Sequence, residues 1–424
     1  MCIFNALKFV MNNKNTPQPL FDTLSCLQEQ TKDASFWGYL DAPYFIDDIV
    51  IAAHFLQAYK GSQGTFNAYR REVERFLHWT VLIAEKKLAD LKREDIEAFI
   101  EFCQAPPKNW IGISKPARFI LKDGQRVPNP AWRPFVATVS KAAHRRGQTP
   151  NIKIFELSQA SLNDLFAILS SFYQYLVQEE HARINPFALV RQKSRFIRKI
   201  QGASKIRRLS ELQWQYIVEN TQKLAETSPA EHERTLFILS ALYAMYLRIS
   251  ELTAHPRWAP QMNHFTRDAD GNWWFTTVGK GNKERKIAVS EAMLDALKRW
   301  RKYLGLSPLP SPADYAPLIP KNRGRGPITS TNQIRNLVQS AFDAAIEQLH
   351  RDKLSEEAET LYEATVHWLR HTGISDDVKT RPREHVRDDA GHSSSAITDK
   401  YIDIELRERH ESARKKRIFD DEVI

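Results

Sequence analysis

Toward the C-terminal end of the chain, residue types able to act on a phosphodiester fall at close spacing. His367 is followed three residues on by Arg370, Gly391-His392 begins 21 residues after that, and Tyr401 lies nine residues beyond His392. The stretch VHWLRHTGIS reads as a helix, so His367 and Arg370 share one face and can converge on one anion. Trp368 and Leu369 turn away from that face, toward a core. Asp389-Ala390-Gly391 reads as a helix end with glycine as the stop, and TDKYIDI as a short helix presenting Tyr401. A fixed cation, two imidazoles and a phenol gathered this way suit attack on a phosphodiester.

The elements that must position these groups occupy a chain of 424 residues, enough for two domains that each bury a core. The longest apolar run, Leu236 to Leu247, is too short to span a bilayer and is followed by Arg248, so it reads as a buried core helix. The N-terminus MCIFNALKFVMNN lacks a basic n-region and a small-residue cleavage site, which argues against a secretory signal. Three scattered cysteines, Cys2, Cys26 and Cys103, form no CxxC or Cys/His cluster; disulfide scaffolding and structural zinc are disfavoured, and a reducing cytoplasm fits. The net charge of +10 raises the odds of a polyanionic partner without naming it.

Residues 1–45 resist assignment beyond a plausible helix over Leu20–Gln30. From Ile46 a helical rhythm begins with DDIVIAAHFLQAY. It continues through SQGTFNAYRREVERFLHWTVLIAEK, where Phe66, Tyr69, Val73, Phe76 and Leu77 recur at helical spacing. Arg70, Arg71 and Arg75 lie on another side, and Arg70 and Arg71 are candidate DNA contacts. KREDIEAFIEFCQ supplies a third helix. From Pro106 to Pro150 the rhythm breaks, with prolines, an Asp123-Gly124 turn and mixed aromatics, which reads as an insertion of short strands or loops. It could contact DNA or a partner. SLNDLFAILSSFYQYLVQEE resumes as a helix, and Asn185-Pro186 closes this half.

A basic run follows, with eight Lys or Arg and no acid between Arg191 and Arg208. The bland reading is a solvated interdomain linker. The sharper one lays Arg191, Lys193, Arg195, Arg198, Lys199, Lys205, Arg207 and Arg208 along phosphates, because uncompensated positives otherwise repel one another.

The second half carries its own core. EHERTLFILSALYAMYLRISEL reads as one long buried helix ending in Arg248 and Glu251. A β-ribbon comes next, with Asn263–Arg267 and Asn272–Val278 flanking Asp270-Gly271, and Arg285–Val289 following the GKGNKE turn. SEAMLDALKRWRKYL is a helix capped by Ser290. Leu306 to Pro327 is a Pro/Gly-rich loop, TNQIRNLVQSAFDAAIEQL a further helix, and the tail beyond Asp403 is highly charged and mostly helical in pattern.

Five landmarks thus stand in order: LRISEL with Arg248, VGKGNKERKIAV with Lys280, HWLRHT with His367 and Arg370, AGH with His392, and Tyr401. Together they resemble the catalytic domain of the tyrosine recombinases, the phage integrase family. The resemblance is specific over about 210–405 and looser over 46–190, which is similar to that family's helical core-binding domain. It does not reach residues 1–45 or the 106–155 insertion.

The resemblance implies a multidomain, mainly α protein. The helical core-binding domain would span 46–190, the basic linker 191–208, and a mixed α/β catalytic domain, mostly helical with a small antiparallel sheet, 209–405. The two domains would form a clamp around duplex DNA. Tyr401 would be the nucleophile that leaves a 3′-phosphotyrosyl link, and Arg248 and Arg370 would clamp the non-bridging oxygens. Lys280 would protonate the leaving 5′ oxygen, with Lys283 and Lys286 close by and Lys283 a further DNA contact. His367 would assist proton transfer, His392 would hydrogen-bond the phosphate, and Glu251 would support the site from behind. No metal and no nucleotide cofactor is implied, and DNA-bound assemblies would be tetramers. Ile402, Ile404 and Leu406 are candidate docking residues for a neighbouring protomer; a frayed terminus is the plain alternative.

Two departures stand out. HPRWAPQMNHF lengthens the span from Arg248 to Lys280, and Ala390 replaces the usual Leu before Gly-His. His367 and His371 (i, i+4) share the spacing of a zinc helix, but the Glu of HExxH is missing and Arg370 lies between them, a cation that repels a metal. Rival readings are a type IB topoisomerase-like or telomere-resolving enzyme, and a binding-only DNA architectural protein.

Overall fold

The computed structural model describes residues 16–31, 37, 43–191, 207–279, 281–399, 401 and 413–414. The chain divides into two compact units, Met1–Gln201 and Gly202–Ile424.

The first unit is helical. Its helices are α1 (Leu24–Gln30), α2 (Ile46–Gln57), α3 (Gln63–Trp79), α4 (Arg93–Gln104), α5 (Lys141–Arg145), α6 (Gln159–Gln178) and α7 (Pro186–Arg191). Serines open three of them: Ser62, Ser140 and Ser158 each accept a hydrogen bond from a backbone N–H in the first turn. Phe66, Val73, Phe76 and Leu77 of α3 meet Phe99 of α4 and Phe172 and Tyr173 of α6 in a closed core. The segment before Ile46 joins it, with Leu20, Phe21 and Leu27 buried. Asn185 does not close this half: it caps α7, its Oδ1 accepting the N–H of Ala188 at 3.2 Å, and Pro186 at the first helical position needs no partner for a missing N–H.

The proline-rich interruption holds β1 (Ile111–Gly112) and β4 (Phe135–Val136), paired in parallel, and an antiparallel hairpin of β2 (Phe119–Lys122) and β3 (Gln125–Pro128). Asp123 and Gly124 form its two-residue turn with φ of 51° and 75°, the mirror-image geometry that matches strand twist.

The second unit is built from α8 (Glu211–Thr227), α9 (Pro229–Ala244), a three-stranded antiparallel sheet, α10 (Glu291–Tyr303), α11 (Thr331–Arg351), α12 (Ser355–Leu361), α13 (Val366–Asp377), α14 (Arg383–Ala390) and α15 (Ser395–Asp399). The sheet has β6 (Trp273–Val278) between β5 (Phe265–Arg267) and β7 (Glu284–Ala288). Phe275 opposite Ile287 supplies its buried face. Ser210 and Ser290 cap α8 and α10.

Two expectations are corrected here. The helix expected to run on to Glu251 stops at Ala244: Tyr246 takes a left-handed φ of 49° and Arg248 is extended, at the head of a 3-10 turn over Ile249–Glu251. The helix expected to carry Tyr401 ends at Asp399, and Tyr401 sits in the turn beyond it, its N–H donating to the Thr398 carbonyl at 2.9 Å. Helix α12 was not expected. Its Ala358 and Leu361 are fully buried, but seven residues are too short for helical periodicity to register.

Candidate active site

Arg248 enters the site from the bend after α9. Its backbone N–H donates to Glu251 Oε2 at 2.8 Å and its Nη1 to Glu251 Oε1 at 3.1 Å. Glu251 is only 1% exposed. Arg285 of β7 grips the same carboxylate, Nη1 to Oε1 at 2.7 Å and Nη2 to Oε2 at 2.8 Å, while its Nε donates to the Asp389 carbonyl at 2.9 Å. Burial alone would raise the Glu251 pKa; the hydrogen bonds and charge of Arg285, joined by Arg248, outweigh it and hold the carboxyl below its ordinary value. One carboxylate thus anchors two guanidiniums.

Gly279 makes room for this cluster, since a Cβ there would lie 2.9 Å from Arg285 Nη1 and 3.0 Å from Glu251 Oε1. Gly391 serves twice. It ends α14 in the left-handed conformation, φ 65°, and a Cβ on it would lie 2.8 Å from Arg285 Cδ.

Arg370 is 2% exposed. Its Nη1 donates to the Tyr246 carbonyl and its Nη2 to the Ala390 carbonyl at 2.6 Å. Two carbonyls orient the fork and leave its charge in place. Burial, then the nearby charge of Arg248, pulls Arg370 down to about 9, so the cation is held under electrostatic pressure that an anion would relieve.

Two imidazoles flank the phenol, and a third packs on one of them. His371 meets Tyr401 edge to face at 5.3 Å, His392 stacks beside it at 5.6 Å, and His367 lies 4.3 Å from His371, all between ring centroids. Thr398 fixes two of these groups, its Oγ1 lying 2.9 Å from His392 Nδ1 while its carbonyl accepts the Tyr401 N–H. Burial, then the charges of Arg370, Arg248 and Arg285, brings His392 down to about 4. His371 is also brought to about 4, by burial, His367, Arg370 and His392. His367 is lowered by partial burial and by Arg370 and Arg248. Near neutral pH these imidazoles are uncharged and can accept a proton. Burial raises the Tyr401 pKa, with Arg370 and Arg248 pulling the other way, so the phenol stays protonated until an acceptor takes its hydrogen.

Arg248, Glu251, His367, Arg370, His392 and Tyr401 are therefore brought together. Lys280 lies outside the described residues; Lys283 and Lys286 are exposed. Lys193, Arg195, Arg198, Lys199, Lys205, the Arg191 side chain and Ile402, Ile404 and Leu406 also fall outside the described residues. Arg207 is exposed, and the next residues are tied to the site helix, Leu209 N–H donating to Thr372 Oγ1 at 3.0 Å. Arg70 is turned inward: it donates to the Asp22 carbonyl and lies 5.0 Å over Phe66. Arg71 pairs with Glu72 at 2.6 Å and remains half-exposed.

Sequence reasoning missed Arg285, and a signal existed. Arg285 stands opposite Thr277, two residues from buried Ile287, so strand alternation turns it inward, where an arginine demands a carboxylate. It also missed Asp389, which pairs with Arg381 at 2.6 Å and accepts the Ala288 N–H at 3.2 Å, tying α14 to β7.

This is the arrangement of a domain that holds an oxyanion beside a tyrosine. Residues 207–407 match the phage integrase family. It is 27% identical over 198 residues to tyrosine recombinase XerD of Rickettsia bellii, covering 46% of this chain and 60% of the relative. It is 31% identical over 143 residues to XerD of Rickettsia prowazekii, covering 34% and 43%. The chain spans between 43% and 61% of the length of the curated relatives it matches. The fold resembles that of XerH site-specific recombinase bound to palindromic difH substrate in a post-cleavage complex, with a TM-score of 0.52 at 14% identity, covering 92% of this chain and 94% of the other. Among the described residues no helix is long and apolar enough to cross a membrane.

Proposed function

We propose that the protein is a site-specific tyrosine recombinase that cleaves and rejoins duplex DNA in the cytoplasm. The observation that carries this reading is the packing of Tyr401 between His371 and His392, beside an Arg370 that two backbone carbonyls orient and that forms no ion pair among the described residues. The Tyr401 oxygen attacks the scissile phosphorus, forming a phosphotyrosyl bond to the 3′ end and breaking the bond to the 5′ oxygen. The phenol proton passes to a neutral imidazole, with His367 in that role, and Lys280 supplies a proton to the departing 5′ oxygen. Arg248 and Arg370 take the non-bridging oxygens, where preformed cations meet the growing charge without reorganising. His392 adds a hydrogen bond. Attack by the 5′ hydroxyl of another strand reverses the chemistry and completes the exchange.

In this reading residues 46–190 and the linker 191–208 grip the duplex, with Arg71, Arg207 and Lys283 among the phosphate contacts, and 209–405 carries out catalysis. Four protomers assemble on paired sites, with residues 406–424 docking between neighbours. The naming of the curated relatives as tyrosine recombinases XerC and XerD supports it. The test is incubation with nicked duplexes that release the cleaved end and so trap the intermediate. A denaturant-resistant protein–DNA adduct is expected, lost in Tyr401→Phe while duplex binding persists. Binding without an adduct on any substrate, including the wild-type protein's own flanking DNA, would contradict it.

A further inference from the structure

Within residues 46–190, the hairpin of β2 and β3 has been given no contact of its own so far. It is fixed firmly to the first unit from both strands, at Arg118 before β2 and at Arg126 in β3. Arg126 grips the Asp22 carboxylate with two N–H groups. Arg118 pairs with Glu74, donates to the Phe21 carbonyl at 3.1 Å and lies 4.7 Å over Trp132. Phe119 is buried beneath it. Leu121, across the ladder from Arg126, is nonetheless 73% exposed, and Ile113, earlier in the same insertion, is 62% exposed. Lys115 and Lys122 are exposed as well. Apolar side chains displayed on a rigid support gain nothing for folding there.

Charge identifies what they meet. Between Pro106 and Phe155 there are ten Lys or Arg against a single acid, Asp123 in the hairpin turn; two of the ten, Arg118 and Arg126, pair with Glu74 and Asp22 outside this stretch. Such an excess suits a polyanion and repels a basic surface. A two-stranded ribbon fits the major groove of B-form DNA, where an apolar side chain can touch a thymine methyl. A ribbon already fixed in place also loses little freedom on binding.

We propose that the β2–β3 hairpin is a second DNA-binding element, its Leu121 tip entering a groove and Lys115 and Lys122 contacting the flanking phosphates. This rests on duplex DNA being the substrate. It adds both affinity and a sequence preference at the position under Leu121.

The full-length protein and three variants test it, with duplex DNA as the probe across a range of salt. Lys115→Glu combined with Lys122→Glu is expected to weaken binding about tenfold and to lower the steepness of its salt dependence by about 2, the loss of two phosphate contacts. Leu121→Ser is expected to leave the salt dependence unchanged while shortening the hydroxyl-radical footprint on one side. Lys223→Glu on α8 is the control for net charge alone. Unchanged affinity and footprint in the hairpin variants, or an equal loss in the control, would overturn the assignment. Adduct formation separates the two proposals: hairpin variants should still attach through Tyr401 at saturating nicked duplex. Absence of any wild-type adduct would strike the catalytic reading alone, since affinity and footprint report on the hairpin without cleavage.

Discussion

Glu251 receives Arg285 through two parallel hydrogen bonds of 2.7 and 2.8 Å, and the same carboxylate also holds Arg248. The pairing sets the largely buried Arg285 behind the partly exposed Arg248. Arg248 therefore reaches the site already oriented, and its aim depends on a residue that never needs to touch the substrate.

Breaking this pairing should be costly in one direction only. Glu251→Gln leaves Arg285 buried without a counter-charge, a loss of about 3–5 kcal/mol. Adding Arg285→Met removes the stranded charge, and the double variant should be more stable than Glu251→Gln alone, because Arg248 is exposed enough to be hydrated. Urea denaturation of the wild type, the double variant and the single variants Glu251→Gln and Arg285→Met checks this. Additive losses would show that the two side chains act independently.

Arg370 should separate binding from chemistry. Arg370→Lys keeps a charge but loses the fork that spans the Tyr246 and Ala390 carbonyls. Single-turnover cleavage is expected to fall by about 10²–10³ while duplex affinity changes only a few-fold. Equal losses in both would make Arg370 a binding residue.

Two imidazoles of the site, shifted well down, predict an acid-sensitive fold. His371 and His392 are near 4 in the folded protein against 6.5 ordinarily, so between those values the unfolded chain binds more protons. Their contribution is present above about 6.5, declines as pH falls and is gone below about 4. Calorimetry from pH 7 to 4 should show the wild-type Tm falling more steeply than that of His371→Asn/His392→Asn. Parallel curves would mean that neither imidazole is held neutral by the fold.

Gly373 should accept no side chain. A Cβ there would lie 2.1 Å from the Tyr243 carbonyl oxygen, where α13 crosses α9. Overpacking costs about 1–3 kcal/mol, and unyielding backbone puts Gly373→Ala at the upper end. For a unit of this size that is a fall in Tm of roughly 6–12 °C, measured by calorimetry. A smaller change would mean that the two helices separate easily.

Much of this was legible in the chain, for physical reasons that differ by element. Helices α3, α6, α10 and α11 bury one stripe each, so apolar spacing gives them away, and serine caps mark their starts. The cluster from His367 to Tyr401 was readable because its members lie close in sequence. What escaped notice depends on long-range contacts. The end of α9 follows from the Tyr246 carbonyl being drawn to Arg370, 124 residues away. Arg285 acquires meaning only when β7 lies beside Glu251. The place of residues 20–22 becomes visible once Glu74 and Arg126 close on them.

The most direct measurement is the identity of the side chain that becomes linked to DNA. Wild-type protein trapped on a nicked duplex, digested with protease and nuclease, should yield by mass spectrometry a peptide carrying a nucleotide on Tyr401 through its 3′-phosphate. A nucleotide on any other residue, or cleavage that leaves no protein attached, would contradict the account.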